Sequence, residues 1–371
     1  MLNYEYPPLG GGAGNANKQI LQALGDDPGL EFDLICSSTD GFSIETPRPG
    51  QRIHFLDIGK GGSIHYQSNR DLLVYAWRAY WYARRLMKTQ HYDLCHAFFG
   101  IPCGVMAWRL GLPYIVSLRG SDVPFYSARF RVLDTLIFQR LSRRVWAKAG
   151  AVVANSSGLR DLALASAPRQ AIDVIPNGVD TEKFAPGEIP PGALRLLIVA
   201  RLIARKRIND LIDAVGLLGD GEVTLSIVGD GKGGDELKTQ VDAKDLSDRV
   251  HFLGPVDHAQ LPDVYRDHHV FVLPSLNEGM SNTVLEAMAS GLPIVMTDIG
   301  GAQETLEAGR NGYLIEAYSP ESIAEALRHY VDDPGLIAVH GACSRRKAES
   351  MSWAAVAAAY RACYTAVGAS S

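Results

Sequence analysis

Between Val270 and Val295 the chain carries a complete strand, loop, helix and strand. Val270-Phe-Val-Leu273 is a short uninterrupted apolar run that Pro274 closes, the pattern of a strand buried on both faces. A loop containing Gly279 follows. The helical segment begins near Ser281, opens on a Ser/Asn/Thr cluster and places Gly291 at its C-cap, and the next strand begins at Pro293. A strand–helix–strand unit of this kind belongs to a parallel α/β sheet. In such a sheet ligands bind in the loop between a strand's carboxyl end and the next helix, where free backbone N–H groups favour an anion.

Two carboxylates stand at this end, Glu278 in the loop and Glu286 about a turn and a half inside the helix. Eight positions of helix span on the order of 10 Å, so the two acids grip different parts of one ligand, with its most anionic part between them. A nucleotide sugar has that layout: ribose hydroxyls, diphosphate, sugar hydroxyls. The plainer alternative is an acidic loop that complements the helix dipole.

The string Glu278-Gly-Met-Ser-Asn-Thr-Val-Leu-Glu286, followed by Ala-Met-Ala-Ser-Gly-Leu-Pro-Ile-Val295, resembles the E-x7-E signature of the retaining glycosyltransferases of family 4. That resemblance implies the GT-B fold: two facing Rossmann-like, doubly wound α/β domains, with a terminal helix crossing back to the first. It also implies that Gly279, Met280, Ser281, Asn282 and Glu286 contact a nucleotide-sugar donor, and that Glu278 faces the transferred sugar.

Composition agrees with the architecture. A chain of 371 residues exceeds one ordinary core and suits two Rossmann-sized domains. Five cysteines without a C-x-x-C pair argue against zinc ribbons and disulfide frameworks and fit a reducing cytoplasm. No signal-peptide pattern occurs, nor an apolar run of the roughly 18 residues that spanning a bilayer requires. Residues 1–175 hold 19 Lys and Arg against 14 Asp and Glu, a charge of +5, while the remainder stands at −10. The first half is therefore expected to meet something anionic.

Met1–Tyr6 reads as a first strand ending at Pro7-Pro8; six residues is short for one, and further residues are expected upstream. Gly10-Gly-Gly-Ala-Gly14 then leads into a helix, so that Gly11 and Gly12 let the backbone approach a phosphate. The spacing is not G-x-G-x-x-G, because Asn15 replaces the third glycine, which discounts a dinucleotide oxidoreductase. A plain tight turn is the other reading of this loop. Strands are expected at Phe32–Cys36, Ile53–Asp57, Leu94–Phe98, Tyr114–Leu118, Val152–Asn155 and Asp173–Ile175. Arg119-Gly-Ser-Asp122 follows one of them. Many family members have His-Gly here; with Arg119 in its place, a phosphate or acceptor contact is expected of Arg119, and Asp122 is an equal candidate for the acceptor hydroxyl.

Two stretches are helical, aromatic and basic: Tyr75–Lys88 and Phe125–Gly150. The second carries Arg129, Arg131, Arg140, Arg143, Arg144 and Lys148 against Asp134 alone. Such a helix suits peripheral contact with an anionic membrane at the cytoplasmic face; a solvated basic face over the sheet is the alternative. No nucleic-acid recognition motif is present.

Ile175-Pro-Asn-Gly-Val-Asp180 and the Pro/Gly-rich stretch after Phe184 mark the linker. The expected domains are residues 1–177, joined by a helix over about 353–371, on the acceptor side, and residues 178–352 on the donor side. Leu194–Ala200 is a buried strand ending at Arg201, with Lys206 five positions on. This segment resembles the family's Arg-Leu-x-x-x-Lys, which assigns both cations to a diphosphate; Arg205 and Arg207 are expected to be exposed. Gly229-Asp-Gly231 is read either as a packing turn or as a nucleotide contact. His251, His268 and His269 lack metal-ligand spacing and are assigned structural roles, Glu304 is ranked below Glu278, and Trp353, Tyr360 and Tyr364 are expected to pack. No D-x-D sequence offers a metal clamp, so no metal or other cofactor is expected. The function implied is retaining transfer from a nucleoside-diphosphate sugar to a glycan, glycolipid or polyprenyl-linked acceptor, as in cell-surface polysaccharide or glycoconjugate synthesis. A nucleotide-sugar-binding regulator and a GT-B phosphorylase are the alternatives.

Overall fold

The computed structural model describes residues 1–371 apart from 26, 28, 61–66, 127–130, 190, 220–222 and 370–371. The chain divides into two compact units, Met1–Asn177 with Trp353–Ser371, and Gly178–Ser352.

The first unit contains β1 (Phe32–Ser38), β2 (Ser43–Arg48), β3 (Gln51–Asp57), β4 (Cys95–Phe98), β5 (Tyr114–Leu118), β6 (Ala151–Ala154) and β7 (Asp173–Val174). Hydrogen-bonded neighbours run β1-β3-β2 and β4-β5-β6-β7, all parallel except β2 against β3. The expected first strand is reduced to bridging pairs at Leu2, which pairs in parallel with both Ile35 and Ala97 and so joins the two groups. It is short because the ladder ends once Asn3 N–H has donated to Ile35 O at 3.2 Å and the chain bends at Tyr4, and Pro7 and Pro8 beyond supply no N–H. β2 escapes a reading based on apolar runs, since all six of its residues are exposed on an antiparallel edge.

The segment expected as one helix over Phe125–Gly150 is helical from Arg131 to Lys148, with a π-helical turn over Asp134–Phe138. Arg129 lies outside the described residues. The other basic stretch, expected over Tyr75–Lys88, is helical as far as Leu86, in the helix Asn69–Leu86, which opens on a capping box between Ser68 and Asp71. The terminal helix Trp353–Ala369 packs on the helix Gly12–Leu24.

The second unit contains β8 (Leu194–Val199), β9 (Val223–Val228), β10 (Val250–Gly254), β11 (Val270–Leu273), β12 (Ile294–Thr297) and β13 (Gly312–Ile315). All are parallel, in the order β10-β9-β8-β11-β12-β13. From β8 the chain winds outward to β10, then returns and winds the other way from β11, which is the doubly wound arrangement. Every residue of β11 and β12 is buried, as expected of strands covered on both faces. The same reversal occurs in the first unit between the Leu2 segment and β4. Both units are thus Rossmann-like, and the fold is GT-B.

Candidate active site

Because β8 and β11 are neighbours from which the chain winds in opposite directions, the loops leaving their carboxyl ends diverge and open a crevice. The loop after β8 carries Arg201 and Lys206, and the loop after β11 carries Glu278. Three contacts stitch these loops together: Leu276 N–H to Arg205 O at 2.8 Å, Arg205 Nη1 to Asn277 O at 2.8 Å, and Lys206 Nζ to Glu278 Oε1 at 2.5 Å. Arg205 is therefore a half-buried tie rather than an exposed cation. Arg207, expected exposed, pairs through two nitrogens with Asp210 and lies 4.6 Å from the Tyr318 ring. Only the tertiary fold decides the role of Arg205, since Asn277 lies 72 residues away.

Glu278 and Lys206 are largely withdrawn from water, with side-chain exposures of 11% and 9%. Burial pushes the Glu278 carboxyl up, but the cations of Lys206 and Arg205 outweigh it and hold the group below the usual carboxylate range. Burial lowers the Lys206 ammonium, against the opposing pull of Glu278. Arg201 stays exposed at the mouth of the loop.

The neighbouring loops complete the walls. Gly229 has φ +124°, and a Cβ there would stand 2.1 Å from Ala200 O, so only glycine fits. The turn that Gly229 shapes holds the Arg201 segment through Leu202 N–H to Asp230 O at 2.7 Å. After β12, a Cβ on Gly300 would lie 2.2 Å from Glu278 O, so this loop presses directly on the Glu278–Gly279 backbone. Glu304, on the short helix Ala302–Thr305, is half-buried.

The helix Asn282–Ala289 starts beside this wall, with Ser281 at its N-cap, no side-chain cap and no acid in its first turn. It ends at Ser290, and Gly291, at φ +79°, takes the position after the cap. Met280 is buried, while Ser281 and Asn282 are half-buried at the helix start. Inside the helix, Glu286 accepts from Tyr265 Oη at 3.0 Å on Oε2 and meets His258 Nε2 at 3.0 Å on Oε1. Tyr265 is fully buried, and burial and Glu286 together keep its phenol protonated as a donor. His258 escaped the sequence reading because only the topology brings the turn after β10 to the helix after β11. By contrast, His268 Nδ1 bonds Val264 O at 2.6 Å and His269 Nδ1 accepts from Arg195 N–H at 2.8 Å, both structural contacts.

In the first unit the corresponding crevice lies between the Leu2 segment and β4. Gly11 is the N-cap of the helix that begins at Gly12, and its N–H is 3.4 Å from Glu5 Oε2. Tyr4 stacks on Phe99 with ring centroids 4.4 Å apart. Arg119 does not face a solvent cleft: it is 8% exposed, donates to Asn177 Oδ1 at 2.9 Å and Tyr360 Oη at 3.1 Å, and lies over the Phe98 ring. Tyr360 and Tyr364 therefore do more than pack. Their hydroxyls continue the network through Ser117 Oγ, 3.0 Å from Tyr360 Oη, and His96 Nδ1, 2.8 Å from Tyr364 Oη. Burial and the Arg119 charge lower the His96 pKa well below its ordinary value. Asp122, expected near an acceptor hydroxyl, is instead spent on backbone amides: Gly100 at 2.6 Å, Arg119 at 3.0 Å and Gly120 at 2.9 Å. It fastens its own loop to the Phe99–Gly100 turn.

Residues 10–183 match the family model described as Glycosyltransferase Family 4, and residues 179–348 match that described as Glycosyl transferases group 1. The chain belongs to glycosyltransferase family 4. Among the relatives of this glycosyltransferase is the D-inositol 3-phosphate glycosyltransferase of Streptomyces scabiei, 28% identical, with 97% of this chain and 88% of that protein covered. The protein of the same name from Streptomyces avermitilis is 28% identical over 74% of this chain and 66% of its own length. Of solved structures, sucrose-phosphate synthase from Thermosynechococcus elongatus superposes with a TM-score of 0.85 at 22% identity, covering 97% of this chain and 94% of that one. Anabaena HepE in complex with UDP does so with a TM-score of 0.74 at 18% identity, covering 97% of each. At these identities the two structures show that the enzyme shares their fold.

Proposed function

We propose that this glycosyltransferase moves a sugar, with retention of anomeric configuration, from a nucleoside-diphosphate sugar to a glycan, glycolipid or polyprenyl-linked acceptor in cell-surface polysaccharide or glycoconjugate synthesis. The observation that carries this reading is the crevice itself, where one buried cation–carboxylate pair, one exposed arginine and a helix start converge beside a second, hydrogen-bonded carboxylate. HepE has been solved with UDP and with UDP-glucose, which supports a nucleotide sugar as donor here.

In this reading Glu286 receives the ribose hydroxyls, the helix start at Gly279–Asn282 and the cations Arg201 and Lys206 hold the diphosphate, and Glu278 holds the sugar. Gly229 contributes through the shape of the wall. The helix start at Gly11 and Gly12 is a second phosphate-binding edge. When the bond between the anomeric carbon and the diphosphate oxygen breaks, its electron pair and negative charge collect on that oxygen. Arg201, Lys206 and the helix amides stabilise the charge where it develops, and no step is routed through a metal ion. The acceptor oxygen bonds the anomeric carbon from the same face and passes its proton to the departing phosphate.

The test separates the two glutamates. Glu286→Ala removes a contact shared by donor and free nucleotide, so nucleoside-diphosphate affinity falls and the donor KM rises. Glu278→Ala touches only the sugar, so kcat falls while free nucleotide binds nearly as before. Calorimetry with steady-state kinetics decides; the reverse pattern overturns the placement. Donor turnover also excludes a non-catalytic regulator, and indifference to free phosphate excludes a phosphorylase.

Two observations bear on the acceptor side. The names of the relatives point to a second reading, a small phosphorylated polyol acceptor, which an acceptor panel distinguishes. For a membrane-bound acceptor, the support is the helix through Arg131–Lys148, where Val132, Leu136 and Ile137 are 72%, 62% and 52% exposed beside Arg131, Arg140 and Arg144. Its one acid, Asp134, is turned inward and accepts from Phe125 N–H at 2.9 Å. Each cation near an anionic surface contributes about 1 kcal/mol. Co-sedimentation with anionic vesicles, reduced by salt and by replacing Arg140 and Arg144, is the expected result; equal binding to neutral vesicles removes the membrane reading.

A further inference from the structure

The two oxygens of Glu286 are held by different kinds of partner. Oε2 meets Tyr265, a core side chain. Oε1 meets His258, which stands on an exposed turn after β10 with its side chain 48% exposed. The other ring nitrogen of His258, Nδ1, lies 2.7 Å from Lys183 Nζ. An ammonium donates and never accepts, so Nδ1 is the acceptor and the ring proton sits on Nε2, which donates to Glu286. Lys183 is placed in turn by Asp180, whose Oδ1 accepts from the N–H groups of Glu182 and Lys183 at 3.1 and 2.9 Å. The adjacent Phe184 meets the rings of both His258 and Tyr265 edge-on, at 5.4 and 5.8 Å.

The arrangement has a chemical consequence. The last torsion of a glutamate is soft, so one hydrogen bond leaves the carboxylate plane free to turn and a second fixes it. A cation in direct contact would also neutralise the carboxylate and weaken it as an acceptor for hydroxyls. Here the positive charge of Lys183 stands one ring away and reaches Glu286 only through a neutral N–H donor. We infer that His258, in the tautomer imposed by Lys183, is a positioning residue that orients Glu286 and so sharpens selectivity for the ribose hydroxyls of the donor nucleotide. This rests on the reading that Glu286 binds ribose. It makes the segment opening the second unit a part of nucleotide recognition.

The experiment is calorimetry on the full chain with whichever of UDP, GDP and ADP binds tightest and with its dideoxyribose analogue, alongside donor kinetics. His258→Phe keeps the ring and removes both nitrogens. It should weaken the ribonucleotide about tenfold, the scale of one charge-assisted hydrogen bond, and leave the dideoxy analogue unaffected, with the donor KM rising more than kcat falls. His258→Gln, whose amide can place a donor near the Nε2 position, should recover most of the loss, and Lys183→Met should fall between. A residue that merely fastens its loop would move both nucleotides equally, and that result, or no change at all, overturns the inference. Glu286→Ala separates the two layers. If it abolishes ribose discrimination while His258→Phe does not, only the role of His258 fails; if it leaves discrimination intact, the ribose reading fails and this inference with it.

Discussion

The two units reverse their winding at equivalent points, and therefore each opens a crevice at the carboxyl ends of two adjacent strands, yet the crevices are filled oppositely. In the second unit the half-buried acid, Glu278, is answered by a side-chain cation, Lys206, with Arg201 exposed nearby. In the first, the buried acid, Asp122, is answered by three backbone amides, and its arginine, Arg119, turns inward to Asn177 and Tyr360. Topology decides where a crevice opens, while the kind of partner given to each charge decides its use. A carboxylate saturated by rigid amides is a fastening; one facing a flexible ammonium is available to a ligand that can exchange places with it.

Four experiments press on that contrast, the largest effect first. Glu278→Gln should lower kcat by about a hundredfold or more, the scale of misplacing a reacting group, with the fold retained because the amide keeps the shape of the pair. An active Glu278→Gln enzyme would make the second crevice's acid as structural as the first's. Asp122→Ala should do the converse. Three N–H groups lose their acceptor at a cost of about 1–3 kcal/mol per unsatisfied group, so the denaturation midpoint drops while nucleotide affinity in the remaining folded protein is unchanged. Altered affinity at full stability would return Asp122 to a site. Arg201→Ala should weaken nucleoside diphosphate by about 1.5–3 kcal/mol and nucleoside hardly at all; equal losses mean the arginine does not read phosphate.

The smallest effect concerns acid. Asp33, at the start of β1, is buried, yet His54 and Arg52 at 2.8 and 2.6 Å, with Tyr92, overcome the upward push of burial and hold it well below the ordinary carboxylate range. A depressed pKa contributes stability above the unfolded value of about 3.9, and that stability is lost as pH falls through the folded value. Equilibrium unfolding between pH 5 and 2 should therefore steepen in the wild type and flatten in Asp33→Asn. Identical slopes would show that this cluster, a fastening of the first unit like Asp122, does not control its acid limit.

Much of this was legible in the chain because it is local. The strands at Tyr114–Leu118 and Val270–Leu273 announce themselves by uninterrupted apolar runs, and the helix before Gly291 by its stop signal. The edge strand Ser43–Arg48 gave no such signal, having no buried face to write a pattern with. At the site, the residue types around Glu278 and Glu286 could be read from one contiguous string. Their partners could not: Lys206 meets Glu278 across 72 residues and His258 meets Glu286 across 28, with no periodicity to connect them.

The amino-acid sequence by itself determined the α/β alternation, the position of the E-x7-E segment at a strand's carboxyl end, and membership of the family those residues resemble. These rest on burial periodicity and backbone chemistry, which act within a few residues. Only the tertiary structure decided that Arg119 and Asp122 face inward, that Arg205 ties two loops, and that Lys183 and His258 stand behind Glu286. Those are the choices of partner open to a charge withdrawn from water, and they are settled by which segments the sheet order brings within hydrogen-bonding distance.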